Sequence, residues 1–170
     1  MSLGEAITAD RDRDLPRAAS LYEEVLAAEP QLLEAMLNLM VLSWQVTDYG
    51  FWTGAGLKRE FVDNSSRRLS RLFEQARALD RPEATFWVKY IEWCDLGGIL
   101  SEEECSALLS KSESLDPALF LFSHSEGRRC VSEAEQLLRR SEADGTVKSE
   151  YIASVIKASK RQASERRGST

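Results

Sequence analysis

Apolar residues recur at spacings of three and four along most of this chain, and helix-starting and helix-ending residues divide the pattern into short segments. Such spacing is typical of amphipathic helices, whereas no segment sustains the alternation expected of a half-buried strand. The sequence therefore predicts an all-α fold. The stops define about eight helices, at residues 15–28, 31–46, 65–79, 82–96, 101–115, 117–127, 132–144 and 146–159.

Residues suited to helix N-termini mark several of these boundaries. Asp14 and Asp80 are predicted N-caps, each followed two residues later by a proline in the first helical turn. Ser101 and Ser132 each precede a glutamate by three residues, which is the capping-box pattern. Short helices joined by capped turns favour a stack of antiparallel helical hairpins over a bundle of four longer helices.

The apolar pattern also divides the chain into three regions. Residues 1–14 form an N-terminal segment, part of which we attribute to an expression vector, and residues 15–159 form the helical array. The apolar stripe ends at Ser159, so we expect residues 160–170 to be a disordered basic tail.

Charge is distributed unevenly along the chain. The formal net charge is −6, but from Arg139 onward eight basic residues accompany four acidic ones, so the preceding part carries −10. Phosphate binding depends on clustered cations, so this acidic body disfavours nucleic acid as a partner. It is compatible with a protein partner.

The cysteine content and the hydropathy of the sequence indicate the cellular location of the protein. The three cysteines, Cys94, Cys105 and Cys130, are odd in number and lack CxxC spacing, so we expect reduced thiols rather than disulfides. No stretch approaches the roughly 18 to 20 apolar residues of a membrane-spanning helix, and the first residues lack a signal-peptide pattern. These features predict a cytoplasmic protein with no membrane partner.

Some of the predicted helices share a spacing of small, bulky apolar and proline residues. The segments with this spacing are Ala18, Tyr22, Val25 and Pro30; Cys105, Leu109, Ser112 and Pro117; and, more loosely, Ala76 to Pro82. This spacing resembles the second helix of the tetratricopeptide repeat, a helix–turn–helix unit. The resemblance spans roughly residues 15–117 and implies an α-α superhelix. Met40 and Ile91 are bulky where the family prefers a small residue, and with no helix predicted before residue 14 the array would begin with half a repeat.

The resemblance also implies which side chains would meet a ligand. Peptide-binding members of this family use groove-facing residues of the first helix in each repeat. Some members clamp a C-terminal carboxylate; Asn38 and Lys89 are compatible with part of that clamp, but the full clamp is absent. The alternative is that these are ordinary solvated helix faces. The implied groove residues include Asn38, Val41, Thr85, Lys89 and Glu92.

Residues 47–63, which we call the aromatic segment, interrupt the helical pattern with three glycines and carry Tyr49, Phe51 and Trp52. Loops longer than about 12 residues are usually functional or disordered, and the aromatic residues argue against disorder. We therefore predict a long, flexible aromatic connection. It either caps the array or anchors a partner.

The polar residues form no recognisable catalytic or metal-binding pattern. His124, the single histidine, is six residues from Cys130, a spacing that does not put both on one helix face. Glutamates 102–104 fit a helical first turn better than a metal site. The glycines near Lys58 do not match a phosphate-binding loop. We expect no enzymatic activity, no metal and no cofactor.

The expected function is therefore a non-catalytic adaptor or scaffold that binds a protein or peptide through the helical groove or the aromatic segment. The alternative is a structural subunit or a homodimerisation domain without a peptide ligand. Catalysis by His124 with Cys130, and nucleic-acid binding through the tail, rank after these. The candidate partner-binding residues are Asn38, Val41, Tyr49, Phe51, Trp52, Thr85, Lys89 and Glu92.

Overall fold

The structure is a computed structural model and describes residues 2–167. The described residues form helices and no strand, which confirms the all-α prediction. The ten helices of this part of the chain are α1 (Leu3–Arg11), α2 (Leu15–Ala28), α3 (Leu33–Val46), α4 (Tyr49–Gly54), α5 (Arg59–Leu79), α6 (Pro82–Asp95), α7 (Glu102–Lys111), α8 (Ala118–His124), α9 (Val131–Asp144) and α10 (Val147–Arg167).

The chain forms two compact units. Among the described residues, the first unit comprises those up to Asp80 together with Thr146–Lys148, and the second comprises Arg81–Gly145 and those from Ser149 onward. In the first unit α3 packs against α2 and α5, and α1 packs against α2. In the second unit α7 packs against α6 and α8, and α8 packs against α9. Helices close in sequence are thus packing partners within each unit.

Two helices, α1 and α4, lie where the sequence predicts none. α1 occupies the segment that was expected to lack a first helix: Ser2 and Glu5 form a capping box at its start, and Ala6 and Ala9 are buried. Side chains as small as alanine produce a weak apolar stripe, so periodicity did not reveal this helix. α4 lies within the aromatic segment.

α10 remains helical where the sequence predicts a disordered tail at residues 160–170. Ala163 on α10 lies close to Gly127, in the turn after α8. Arg166 forms an ion pair with Glu126 in the same turn. Small and charged side chains therefore make contacts along this part of the helix, without the large apolar stripe on which the prediction relied. The last three residues of the predicted tail lie outside the described part of the chain.

Local capping rules place some helix boundaries correctly and fail at others. Asp14 caps α2, and Ser101 forms the predicted capping box at α7. Asp80 is not an N-cap, because it ends α5 in the left-handed conformation at φ +49°. Ser132 lies inside α9, whose N-cap position is Cys130. A capping motif reports a possible local hydrogen bond, but packing decides which residue begins the helix.

The first unit buries a polar network among its apolar side chains. Asp10 on α1 is 0% exposed, and its carboxylate accepts hydrogen bonds from the Tyr22 hydroxyl (3.1 Å) and the Val147 backbone N–H (2.9 Å). The Tyr22 oxygen in turn accepts from Asn38 Nδ2 at 3.2 Å. A buried polar group that loses its partner keeps its full desolvation penalty. The network therefore favours one arrangement of α1, α2 and α3.

Replacing Tyr22 by Phe is expected to lower the free energy of unfolding by about 1–3 kcal/mol, because Asp10 and Asn38 each lose a buried partner. Urea denaturation followed by circular dichroism measures the change. Tyr49→Phe is the matched control: its side chain is largely exposed, so we expect a change below about 0.5 kcal/mol. Equal unfolding midpoints for the two variants would show that the network does not contribute to stability.

Glu83, in the first turn of α6, is a buried carboxylate in the second unit. Its Oε1 accepts hydrogen bonds from the Glu113 backbone N–H (2.8 Å) and the Ser112 hydroxyl (3.0 Å), and its Oε2 lies 3.6 Å from Arg81 Nε. Burial by itself raises the pKa of Glu83. Hydrogen bonds from its own backbone N–H, from Glu113 and from Ser112, together with the charge of Arg81, bring the pKa below its ordinary value of 4.5. The carboxylate thus ties the segment after α7 to the start of α6.

The lowered pKa of Glu83 predicts an acid-sensitive contribution to stability. Its ionised form stabilises the fold at pH values above 4.5, and this contribution is lost as the pH falls through the lower folded-state pKa. We expect Glu83→Gln to be less stable than the parent by about 1–3 kcal/mol at neutral pH, with the difference shrinking in acid. Urea midpoints measured from about pH 3 to pH 7 test this. A difference that stays constant over that range would contradict the lowered pKa.

Candidate partner-binding surfaces

The aromatic segment, residues 47–63, is largely helical rather than the flexible connection that the sequence predicts. Asp48 caps α4 by accepting a hydrogen bond from the Phe51 backbone N–H at 2.8 Å. A backbone hydrogen bond of 3.0 Å to the Trp52 carbonyl closes the turn that follows. Gly56 supplies the left-handed conformation of this turn, at φ +65°. α5 then begins earlier than predicted, so only a short turn separates α4 from α5.

The aromatic side chains of α4 differ in exposure. Tyr49 is 74% exposed, and its ring meets the Trp52 ring edge-on at a centroid distance of 5.6 Å. Phe51 and Trp52 are half-buried, and α4 packs against α3. Phe51 and Trp52 are therefore partly covered on α4, while Tyr49 projects into solvent beside the Trp52 ring.

A shallow cleft lies at the end of the same segment. It has a volume of about 400 Å³, and its apolar lining comes from Pro16 on α2, Leu57 in the turn and Phe61 on α5. Lys58 and Asn64 are among its polar lining residues. The aromatic segment thus combines a projecting tyrosine with a concave apolar surface.

The groove positions predicted on α3 are in the interior. Asn38 is 3% exposed and is hydrogen-bonded to Tyr22, and Val41 is 0% exposed. α3 is apolar on almost all sides, so its sequence offers no polar stripe from which to choose the outward face. The structure therefore places these two side chains in the packed core, not along an exposed groove.

The groove positions predicted on α6 share one face of that helix and are half-buried in the second unit. Lys89 Nζ lies 2.8 Å from Glu104 Oε1 on α7, and this bond lowers the pKa of Glu104. The Glu92 backbone carbonyl accepts a hydrogen bond from the Gly98 N–H at 2.9 Å, in the turn after α6. Thr85 lies one turn before Lys89. The lysine is thus held by an ion pair within the unit.

Two exposed surfaces are not predicted by the sequence. In the second unit, Leu96 and Ile99 flank the glycine turn after α6 and are 64% and 84% exposed, and Trp93 on α6 is partly exposed. In the first unit, Arg67 and Arg71 lie one turn apart on α5 and line a cleft with α2. The apolar residues around the glycine turn and the arginine spacing on α5 were the available signals. Neither pattern reveals exposure without the packing partners.

The three cysteines are free. Burial raises the pKa of Cys94 to about 11 and that of Cys105 to about 12, and it also raises the pKa of Cys130. The thiolate is the nucleophilic form of cysteine, so these shifts leave little nucleophile at neutral pH. His124 stacks on the Phe120 ring at a centroid distance of 4.9 Å.

Metal binding and membrane spanning are two other possible roles of the described residues, 2–167. No group of three or more His, Cys, Asp or Glu residues in that part of the chain is arranged to hold a metal ion. None of the ten described helices combines the length and apolar character needed to cross a membrane.

Comparison with protein-family models, with curated proteins and with solved structures finds no significant match to this chain.

The raised thiol pKa values predict slow alkylation and disulfide exchange in the folded protein. Near pH 8, a thiol with the pKa of Cys94, about 11, should react on the order of 100-fold more slowly than an unperturbed thiol. An aromatic disulfide reagent followed by absorbance measures the rates, and Cys94→Ser identifies the contribution of this residue. In guanidinium chloride all three thiols should react rapidly. Fast reaction of Cys94 in the native protein would contradict the raised pKa of its thiol.

Proposed function

We propose that this chain is a non-catalytic protein–protein interaction module that binds a protein or peptide at its aromatic segment. The observation that carries the proposal is the exposure of Tyr49 beside Trp52 on α4. Tyrosine and tryptophan contribute disproportionately to binding energy at protein interfaces, because each buries a large rigid surface and keeps a polar group for hydrogen bonding. The adjacent cleft lined by Leu57 and Phe61 gives a partner a concave apolar surface.

We infer that this surface is carried by an array of helical hairpins of the tetratricopeptide-like kind. Two features support the inference. Within each unit, most packing pairs are helices adjacent in sequence, such as α1 with α2 and α7 with α8, as in repeat proteins. Ala18, Tyr22 and Val25, which carry the resemblance on α2, are buried, as expected for the packed face of a repeat helix.

The state of the three thiols supports a non-catalytic role and a location in a reducing compartment. Raised pKa values weigh against covalent catalysis by cysteine at neutral pH. Three free thiols fit a reducing compartment such as a cytoplasm.

Affinity capture with the immobilised protein tests the proposal. We expect a partner that the parent protein retains from a lysate of the source cells and that Tyr49→Ala and Trp52→Ala lose. Ile99→Ala removes an equally exposed apolar side chain in the second unit and should retain the partner. Titration of the identified partner should then show a Kd at least about tenfold weaker for Tyr49→Ala, the effect of losing one interface anchor.

Other results would relocate or overturn the site. Circular dichroism must show that Trp52→Ala is folded, because its side chain is half-buried. Binding that survives both α4 variants and is lost on Lys89→Met would assign recognition to the groove face of α6 instead. A partner that binds every variant equally would contradict a role for the aromatic segment.

A second candidate is a structural subunit that self-associates through Trp93, Leu96 and Ile99. It is favoured by the exposure of these three apolar side chains around one turn of the second unit. Light scattering across a concentration series should then give twice the monomer mass for the parent and the monomer mass for Leu96→Asp. A parent protein that remains monomeric at every concentration would exclude this candidate.

A further inference from the structure

A cleft between α2 and α5 in the first unit has an apolar base and a charged mouth. Leu39, from α3, and Leu72, from α5, are buried at its base, and half-buried Leu26 contributes from α2. The volume is about 240 Å³. A pocket of this size holds roughly one aliphatic side chain rather than a drug-sized ligand, for which clefts of about 300 Å³ or more are usual.

Glu23 and two arginines form the mouth of the cleft. Glu23 Oε1 accepts hydrogen bonds from Arg68 Nε (3.0 Å) and from an Arg71 terminal nitrogen (3.4 Å). Arg68 also donates to Ser65 Oγ at 3.2 Å, and its guanidinium lies over the Phe61 ring at 5.7 Å. With its side chain only 10% exposed, Arg68 is held as a fixed wall of the cleft.

Arg71 and Arg67 are more accessible. The Arg71 side chain is 69% exposed and gives Glu23 a single hydrogen bond. Arg67 is exposed and lines the continuation of the cleft with Asn64 and Ser70, and its Nε donates only a long bond, 3.5 Å, to the Asp63 backbone carbonyl. Both guanidiniums therefore keep donors for an incoming acceptor.

The charge at this mouth is opposite to that of the chain as a whole. Three guanidiniums face one carboxylate at the cleft and its continuation, in a chain of net charge −6. A carboxylate fits such a site, because the arginine fork donates two parallel hydrogen bonds to it. A polyanionic nucleic acid is disfavoured, because the chain as a whole carries a net negative charge.

We propose that this cleft binds a peptide segment that places an acidic side chain beside a leucine-like one. The aliphatic side chain enters the base formed by Leu26, Leu39 and Leu72, and the carboxylate accepts hydrogen bonds from Arg71 and Arg67. The site is separate from the α4 surface of the proposed function, although Asn64 lines both clefts. An experiment can therefore disprove peptide binding at the α2–α5 cleft without disproving partner binding at the α4 surface, and the reverse.

Selection of a displayed library of random heptapeptides on the full chain tests the proposal. We expect the selected peptides to carry Asp or Glu within two residues of Leu, Ile or Met. A fluorescein-labelled synthetic copy of the consensus, amidated at its C-terminus, is then titrated by fluorescence anisotropy. Copies with Asn or Gln in place of the acid, and with Ala in place of the aliphatic residue, should each bind at least about tenfold more weakly, since each loses one of the two contacts.

Variants of the protein locate the site. Arg71→Glu and Arg67→Glu should each weaken binding of the consensus peptide at least about tenfold, because a charge-assisted hydrogen bond is replaced by repulsion. Arg59→Glu is the matched control: it makes the same charge change on the same helix, at an exposed residue outside the cleft. It should bind like the parent, as should Tyr49→Ala.

Three results would overturn the proposal. One is a selection that yields no acidic consensus. Another is a loss of affinity that is as large for Arg59→Glu as for Arg71→Glu, which would indicate nonspecific charge attraction. The third is binding lost in Tyr49→Ala and kept in Arg71→Glu, which would assign the peptide to the aromatic segment and leave the proposed function intact.

Discussion

The burial of α3 is the constraint on which the first unit depends. Eleven of its residues are buried, including Met36, Leu39 and Met40, so neighbouring helices have to cover it on nearly every side. α2 and α5 supply that cover, and α1 is held to α2. Because α3 is buried, the polar side chain of Asn38 needs a hydrogen-bond partner inside the protein. Asn38 donates a hydrogen bond to the Tyr22 hydroxyl, which in turn donates one to Asp10. Apolar area drives the assembly, and the polar network selects one arrangement of it.

The second unit obeys the same rule with aromatic side chains. Trp87 is fully buried, and its indole N–H donates to the Asp116 carboxylate at 2.6 Å. Tyr90, also buried, is hydrogen-bonded through its hydroxyl to that of Tyr151 at 2.9 Å. Large rings fill part of this core, and the polar atoms of Trp87, Tyr90 and Tyr151 find partners within the unit. Glu83 extends this pattern to the backbone of the segment that precedes α8.

The candidate surfaces are made of residues that this packing leaves outside the core. Tyr49 is exposed, whereas the other two aromatic residues of α4 are half-buried. Arg68 is withdrawn into the α2–α5 cleft by Glu23, which leaves Arg71 and Arg67 as the accessible cations. The aromatic segment and the α2–α5 cleft are carried mainly by helices, and a preformed surface loses less conformational entropy when a partner binds than a flexible one does.

Apolar periodicity and capping chemistry were sufficient to predict the helical class and several boundaries, because both act within one or two helical turns. Asp14, Ser101 and the stop at Gly145 are examples. The same local signals missed α1 and α4, whose packing uses small or irregularly spaced side chains. They could not tell that Val41 faces inward or that Ile99 faces solvent, because which side of an apolar helix or turn is covered depends on residues far away in the chain. Exposure, and with it every candidate binding surface, was decided by tertiary packing.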